Sequence, residues 1–432
     1  MRRRSLAVGA LTAATALFVS ACGGSSGSSG GSSSGGASNT ALEGVGPITL
    51  VQGKDTSGFV QTILDSWNKD HPNEKATLIE LPEDADAQRS QMIQNAQAKS
   101  DAYSVLVVDN VWTSEFAANR YIVELPQDQF PTKDFLPPVF AAAKYKDKFY
   151  AVPSTSDGGM LYYRKDLLQA AGISAPPKTF TELADDCKKI QATPAGAGLN
   201  CFAGQYQKYE GLTVNTAEAI NSAGGVITDD QGKPNVNTPE AKAGLDTLVQ
   251  GFKTGWIPKE AITYKEEEGR RAFQEGKLIF HRQWPYIYSK VSATDGSSQV
   301  AGKFAVAPLP GIGSNPGVSS LGGHALGIST YAPNKKSALD FIKFYTTKEN
   351  SQKYLELGTN APVYGSIYDD PTLQQKFPFL PVLKESISNA QARPKVVRYG
   401  DATLAIQDAA YGALQGQMTT CLLYTSPSPR DS

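Results

Sequence analysis

The chain has 432 residues, with 41 basic and 42 acidic side chains, a formal charge of −1, four cysteines and three histidines. Near-neutrality argues against a nucleic-acid partner held by charge. The scarce histidines, with no HExxH, CxxC, P-loop or GxGxxG spacing, point to no metal or nucleotide chemistry. The length is enough for two lobes, each with its own core.

In chain order, Met1-Arg2-Arg3-Arg4 is a basic start, and Leu6 to Val19 is apolar or small. That stretch suits a secretory signal and is shorter than the roughly 20 residues of a stable bilayer span. Val19-Ser20-Ala21-Cys22 resembles a bacterial lipobox. In such signals cleavage falls before the cysteine, whose thiol carries the lipid. The expectation is a signal peptide over 1–21, lipidation at Cys22 and a flexible tether over 22–40, since Gly23 to Ser38 is only Gly, Ser and one Ala. Loss of Arg2, Arg3 and Arg4 brings the mature chain to about −4. The GxSxG pattern at Gly23–Gly27 lies in this tether, with no strand before it or helix after it, so it is no nucleophile elbow.

The body alternates strands and helices. ITLVQG (48–53), KATLIEL and YSVLVVD, which ends at Asp109, read as strands. Phe59, Ile63 and Trp67 recur at four-residue spacing before His71-Pro72, which predicts a helix. AQRSQMIQNAQAKS reads as a polar helix. Thr179-x-x-Glu182 reads as a capping box. Pro239 at a first helical turn and Gly255 near its end frame another helix. KLIFHR, FAVAPLP and HALGIST are short strands, and NKKSALDFIKFYTT is a helix. This alternation implies α/β sheets covered by helices.

Cys187 and Cys201 lie fourteen apart, and in an oxidising exterior they are expected to pair; two buried thiols are the alternative. DATLAIQDAAYGALQGQM has helical periodicity, yet TTCLLYTSPSPRDS follows where a cap or a continuation is expected. Residues 419–432, with Cys421, therefore read as a non-native tail in place of a terminal helix.

Aromatic residues cluster beside Gly, Pro and acids at strand ends. VDNVWTSEFA offers Asp109 and Trp112. AVPSTSDGGMLYYRKDLL offers Asp157, with Tyr162 and Tyr163 as packing. QYQKYEGLTVN offers Tyr206, Tyr209 and Glu210. IFHRQWPYIY offers Trp284, Tyr286 and Tyr288. SSLGGHALGIS and QARPKVVRYG offer Gly322, Gly323 and Arg393. Rings cover the apolar faces of sugars while carboxylates, Arg and backbone groups bond hydroxyls, and ligands of open α/β sheets sit beyond the carboxyl ends of strands.

Six such segments in one order, spread over about 45–418, resemble an extracellular solute-binding lipoprotein of a carbohydrate ABC importer, family 1 type, similar to the trehalose/maltose-binding branch. The resemblance implies an α/β, two-lobed periplasmic-binding-protein-like fold with a ligand cleft between lobes and a multi-segment hinge. It places the first lobe at 41–153 and 304–347 and the second at 154–303 and 348–418. It implies a monomeric receptor that captures an α-linked disaccharide such as trehalose, maltose or sucrose. The receptor delivers it to a membrane permease with cytosolic ATPases, touches the membrane by its lipid alone, and uses no metal or cofactor. Asp109 and Asp157 match cleft aspartates, Trp284 and Tyr286 a Trp-Pro-Tyr wall, Gly322-Gly323 a close backbone approach, and Arg393 an arginine able to bond two hydroxyls. Trp112 and Glu210 join the expected site. Where the family often has Trp after the glycines, this chain has His324.

Each residue also has a structural reading: Asp109 as a helix cap, Asp157 as a turn acid, Trp284 and Tyr286 as core, the glycines as backbone geometry, Arg393 as a surface ion pair. A lipid-anchored surface glycoside hydrolase, which needs only two carboxylates, and an oligosaccharide or polyol receptor are the alternatives in function.

Overall fold

The structure, a computed structural model, describes residues 40–55, 58–229 and 231–420. The expected signal peptide, Cys22, the tether as far as residue 39 and the tail from Cys421 lie outside the described residues.

Strands β1 (Ile48–Gly53), β2 (Ala76–Leu81) and β3 (Val105–Asp109) open the described chain. A small hairpin, β4 (Lys144–Tyr145) with β5 (Lys148–Phe149), precedes β6 (Val152–Pro153) and β7 (Asp157–Gly158). Next come β8 (Met160–Arg164), β9 (Asn200–Ala203), β10 (Leu278–Gln283) and β11 (Phe304–Ala307), then β12 (Leu321–Gly322) and β13 (His324–Ile328). Two sheets result, in the orders β2-β1-β3-β13-β6 and β11-β8-β10-β9. Both are mixed: β1 runs parallel to β2 and β3, while β13 is antiparallel to β3 and β6. In the second sheet β10 is parallel to β9, and β8 is antiparallel to β10 and β11.

The helices bury the faces their spacing predicts. Val60, Ile63, Leu64 and Trp67 form the inner stripe of the helix Val60–Asp70. Trp67 also donates its indole N–H to Glu74 O at 2.8 Å. Thr179 caps the helix Phe180–Gln191 by accepting from Glu182 N at 3.1 Å. The return bond of the expected box goes instead to Lys178 N, at 2.7 Å from the Glu182 carboxylate. Pro239 opens the helix Pro239–Thr254, and Gly255, at φ 85°, closes it. Cys187 of the helix Phe180–Gln191 and Cys201 of β9 form the expected disulfide, with Cα atoms 5.5 Å apart.

Three expectations are corrected. The expected bounds put β11 in the first lobe, yet it pairs with β8 in the second sheet, so the return to the first sheet comes only at β13. A four-residue strand carries no sign of which sheet it joins. The residues after 348 were placed in the second lobe, yet Tyr354 stacks on Phe59 with ring centroids 5.3 Å apart. Thr359, a little further on, donates its hydroxyl to Pro285 O of the second lobe at 3.2 Å. The helix Tyr399–Leu414 does end with a cap: Gly416 takes φ 72°, and Gln417 N donates to Gly412 O at 2.9 Å. The glycine of ALQGQM was the overlooked stop signal.

Candidate functional site

The chain leaves the first sheet after β6, passes through β7 into β8, and returns from β11 through β12 into β13. β7 and β12 pair with each other, Asp157 against Gly322, so two crossing strands form a short ribbon between the sheets. Beside this ribbon lies a cavity of about 320 Å³. Its walls come from the carboxyl ends of β1 and β3, the turn after β6, the residues after β10, and the start of the helix Glu210–Ser222. Every candidate from the sequence lines it: Asp109, Trp112, Asp157, Glu210, Trp284, Tyr286, Gly322, Gly323 and Arg393.

Arg393 organises one wall. Nη2 donates to Asp109 Oδ1 at 2.7 Å and Nη1 to Glu210 Oε1. Its side chain is only 2% exposed. Glu210 also accepts from the Tyr399 and Thr403 hydroxyls, the latter at 2.7 Å. Both guanidinium ends are thus engaged, and Nε is buried without a partner among the described residues. This corrects the sequence reading: Arg393 is no free fork for two hydroxyls, and Glu210 has no idle oxygen. A charge this deep persists only when paired, so Arg393 and Glu210 set the position of Asp109. Asp109 is both a cap and part of the cavity wall. Its Oδ1 accepts from Val111 N at 3.1 Å, which starts the turn Asn110–Trp112, while Oδ2 has no partner among the described residues.

Asp157 has no hydrogen-bond donor on its carboxylate among the described residues. Burial, then the charge of Asp109, push its pKa up to about 7, against a smaller opposing pull from Arg282. Trp284 is half-buried and faces the cavity, with Arg282 behind it, the guanidinium carbon 3.8 Å from the ring centroid. Tyr286 adds a second ring; its hydroxyl donates to Glu267 Oε1 at 2.8 Å. Gly322 must lack a side chain, because a Cβ would stand 2.9 Å from the Trp284 ring. Gly323 takes φ 99°, and a Cβ there would lie 2.4 Å from Thr155 O. Trp112 is 2% exposed and stacks on Phe116 at 6.2 Å, so it serves the core as well as the cavity wall.

Tyr162 and Tyr206 are buried in packing, as Tyr162 was expected to be; Tyr162 donates to Trp284 O at 3.0 Å. Sequence reasoning missed Gln52, Lys54, Glu266 and Glu267 as lining residues. Glu266 and Glu267 belong to a run, EEEGRR, that reads as a solvated helix start, so no local signal marked them. His324 lines the cavity as an exposed residue, with Nδ1 3.5 Å from the Thr155 hydroxyl. Among the described residues no group of three or more His, Cys, Asp and Glu is arranged to hold a metal ion.

Two sheets joined by a crossing ribbon, with one cavity of carboxylates and rings beside it, define a bilobal solute-binding protein. The chain belongs to the bacterial extracellular solute-binding protein family, whose profile matches residues 52–352. A probable ABC transporter-binding protein of Deinococcus radiodurans is 33% identical over 358 residues, covering 81% of this chain and 84% of its own. The mannitol-binding protein of Pseudomonas aeruginosa is 26% identical over 326 residues, 72% of each chain. The maltose-bound MalE3 of T. maritima superposes with a TM-score of 0.82 at 31% identity, covering 87% of this chain and 97% of that one. The two-lobed periplasmic-binding-protein-like fold expected from the sequence is therefore present. Among the described residues no helix is long and apolar enough to cross a membrane.

Proposed function

We propose that the chain is the receptor of a carbohydrate ABC importer, capturing an α-linked disaccharide such as trehalose, maltose or sucrose outside the cell. The observation that carries this is the pairing, in one cavity of about 320 Å³, of the Trp284 and Tyr286 rings with oxygens of Asp109 and Asp157 that have no partner among the described residues. Small-ligand cavities begin at about this size. Sugar C–H faces lie on the rings, and hydroxyls donate to the two aspartates. The relatives named for binding maltose or mannitol support a sugar or polyol ligand. Delivery runs to a membrane permease driven by cytosolic ATPases, with the chain held at the membrane by a lipid on Cys22. Replacing Cys22 with Ala then releases the protein to the medium.

The test is calorimetric titration of residues 40–418 with trehalose, maltose, sucrose, glucose and mannitol. One-to-one binding of a disaccharide, lost in Trp284→Ala, is expected. Binding of mannitol alone turns the assignment to a polyol, and silence across the panel discards the disaccharide. A hydrolase is the second reading, because several carboxylates line one cleft. Product in excess of protein after prolonged incubation would establish it.

A further inference from the structure

Arg282 lies outside the cavity wall, is 2% exposed, and belongs to no expected site. It sits on β10 two residues before Trp284. That spacing puts both side chains on one face of the extended chain, and the guanidinium carbon lies 3.8 Å from the indole centroid. Arg282 is itself clamped. Nε donates to Glu218 Oε2 at 2.7 Å, Nη2 to Glu218 Oε1, and Nη1 to Gln205 Oε1 at 3.1 Å. Space for the pair comes from Gly159, where a Cβ would stand 2.7 Å from Arg282 Nη2 and 2.9 Å from Glu218 Oε1.

Glu218 has a second set of partners. Its Oε1 accepts from Ser320 N at 3.1 Å and lies 3.4 Å from the Ser319 hydroxyl, which donates to Ser320 O at 2.8 Å. The Ser319 hydroxyl in turn accepts from Gly159 N at 2.6 Å. Ser319 and Ser320 lead directly into β12, whose Gly322 abuts the edge of the same Trp284 ring. One buried ion pair therefore holds the back of the ring and the crossing strand that meets its edge.

The geometry points to Arg282 as a positioning residue. Together with Glu218 it seats Trp284 as a fixed stacking plate and ties that plate to the crossing segment 319–322, so that the cleft selects ligands with a flat apolar sugar face. A planar cation stacked on a ring holds its tilt, which a lysine ammonium at the same place does not. This rests on the sugar-receptor reading for its ligand, but not for the plate itself.

The experiment uses residues 40–418 and the variants Arg282→Lys, Glu218→Gln, Trp284→Phe and Trp284→Ala. Wild type minus Trp284→Phe isolates the near-ultraviolet circular dichroism of Trp284 without any ligand. Arg282→Lys and Glu218→Gln are each expected to lose most of that band. Each is expected to weaken the tightest disaccharide of the panel about tenfold. Combining Arg282→Lys with Trp284→Ala is expected to add nothing to the loss from Trp284→Ala alone, as required of a residue acting through the ring. An unchanged Trp284 band, or losses that add, overturns the proposal. Should Arg282→Lys not fold, Glu218→Gln alone carries both readings. Should the wild type bind no sugar, the receptor reading fails while the Trp284 band still decides the role of Arg282.

Discussion

At position 157 a carboxylate stands in the cavity without a hydrogen-bond donor among the described residues, and burial and Asp109 push its pKa up to about 7. The folded protein then holds this proton at pH values where the unfolded chain has released it. Stability contributed by the protonated form is full below the ordinary carboxylate range and is lost as pH rises toward about 7. Thermal melts of ligand-free Asp157→Asn are expected to show a higher Tm than wild type at about pH 8 and no gain at about pH 4. An equal or lower Tm at the higher pH would show that the carboxylate is not isolated. Gly322 and Gly323 separate two demands that sequence merges. Gly322→Ala pushes against Trp284, so calorimetry is expected to show about tenfold weaker sugar binding and denaturant unfolding a loss of about 1–3 kcal/mol. Gly323 owes its identity to a positive φ and a backbone neighbour, so its role is in the fold.

Elements carry the bracing of the cavity rim. Asp84 caps the helix Ala85–Gln97 by accepting from Ala87 N at 3.0 Å, and its other oxygen meets Lys265 Nζ at 2.5 Å. Asp86, in the first turn, accepts from Gln407 Nε2 at 3.2 Å. The helix start thus meets both the helix Glu266–Gln274 and the helix Tyr399–Leu414 across the cavity rim. The Asp84–Lys265 pair is partly exposed and worth at most about 1 kcal/mol. In stopped-flow release, Lys265→Ala is expected to speed ligand escape about threefold while the cavity stays intact. Unaltered release would assign the pair to the surface alone. The disulfide acts elsewhere. Cys187 and Cys201 close a 14-residue separation and are not part of the cavity wall, and their joint replacement by Ser is expected to cost about 3 kcal/mol in denaturant unfolding. Sugar affinity, measured on the folded variant, should not change.

Across the whole molecule, strands, amphipathic helices and caps were legible because their signals span a few residues: Ile63 to Trp67, Thr179 to Glu182, Pro239 to Gly255. The helix Glu210–Ser222 gave no such signal, because all of its residues are buried between neighbours and its sequence has no polar face to contrast. The candidate site residues were legible as types, carboxylates and rings at strand ends, and they do converge on one cavity. Which of them is free and which is engaged was not. Asp109 and Arg393 are 284 positions apart, and Arg393 and Glu210 are 183 apart. No local pattern records such partners, since an ion pair depends on where the fold returns the chain. The sequence by itself determined most of the elements, the α/β class and the residue chemistry of the cleft, because these follow from short-range periodicity and side-chain type, while the expectation of two lobes came from the family resemblance. Only the tertiary structure decided that Arg393 and Glu210 support Asp109, that Asp157 stands without a donor among the described residues, and that Arg282 backs Trp284, because burial and pairing arise only once distant segments meet.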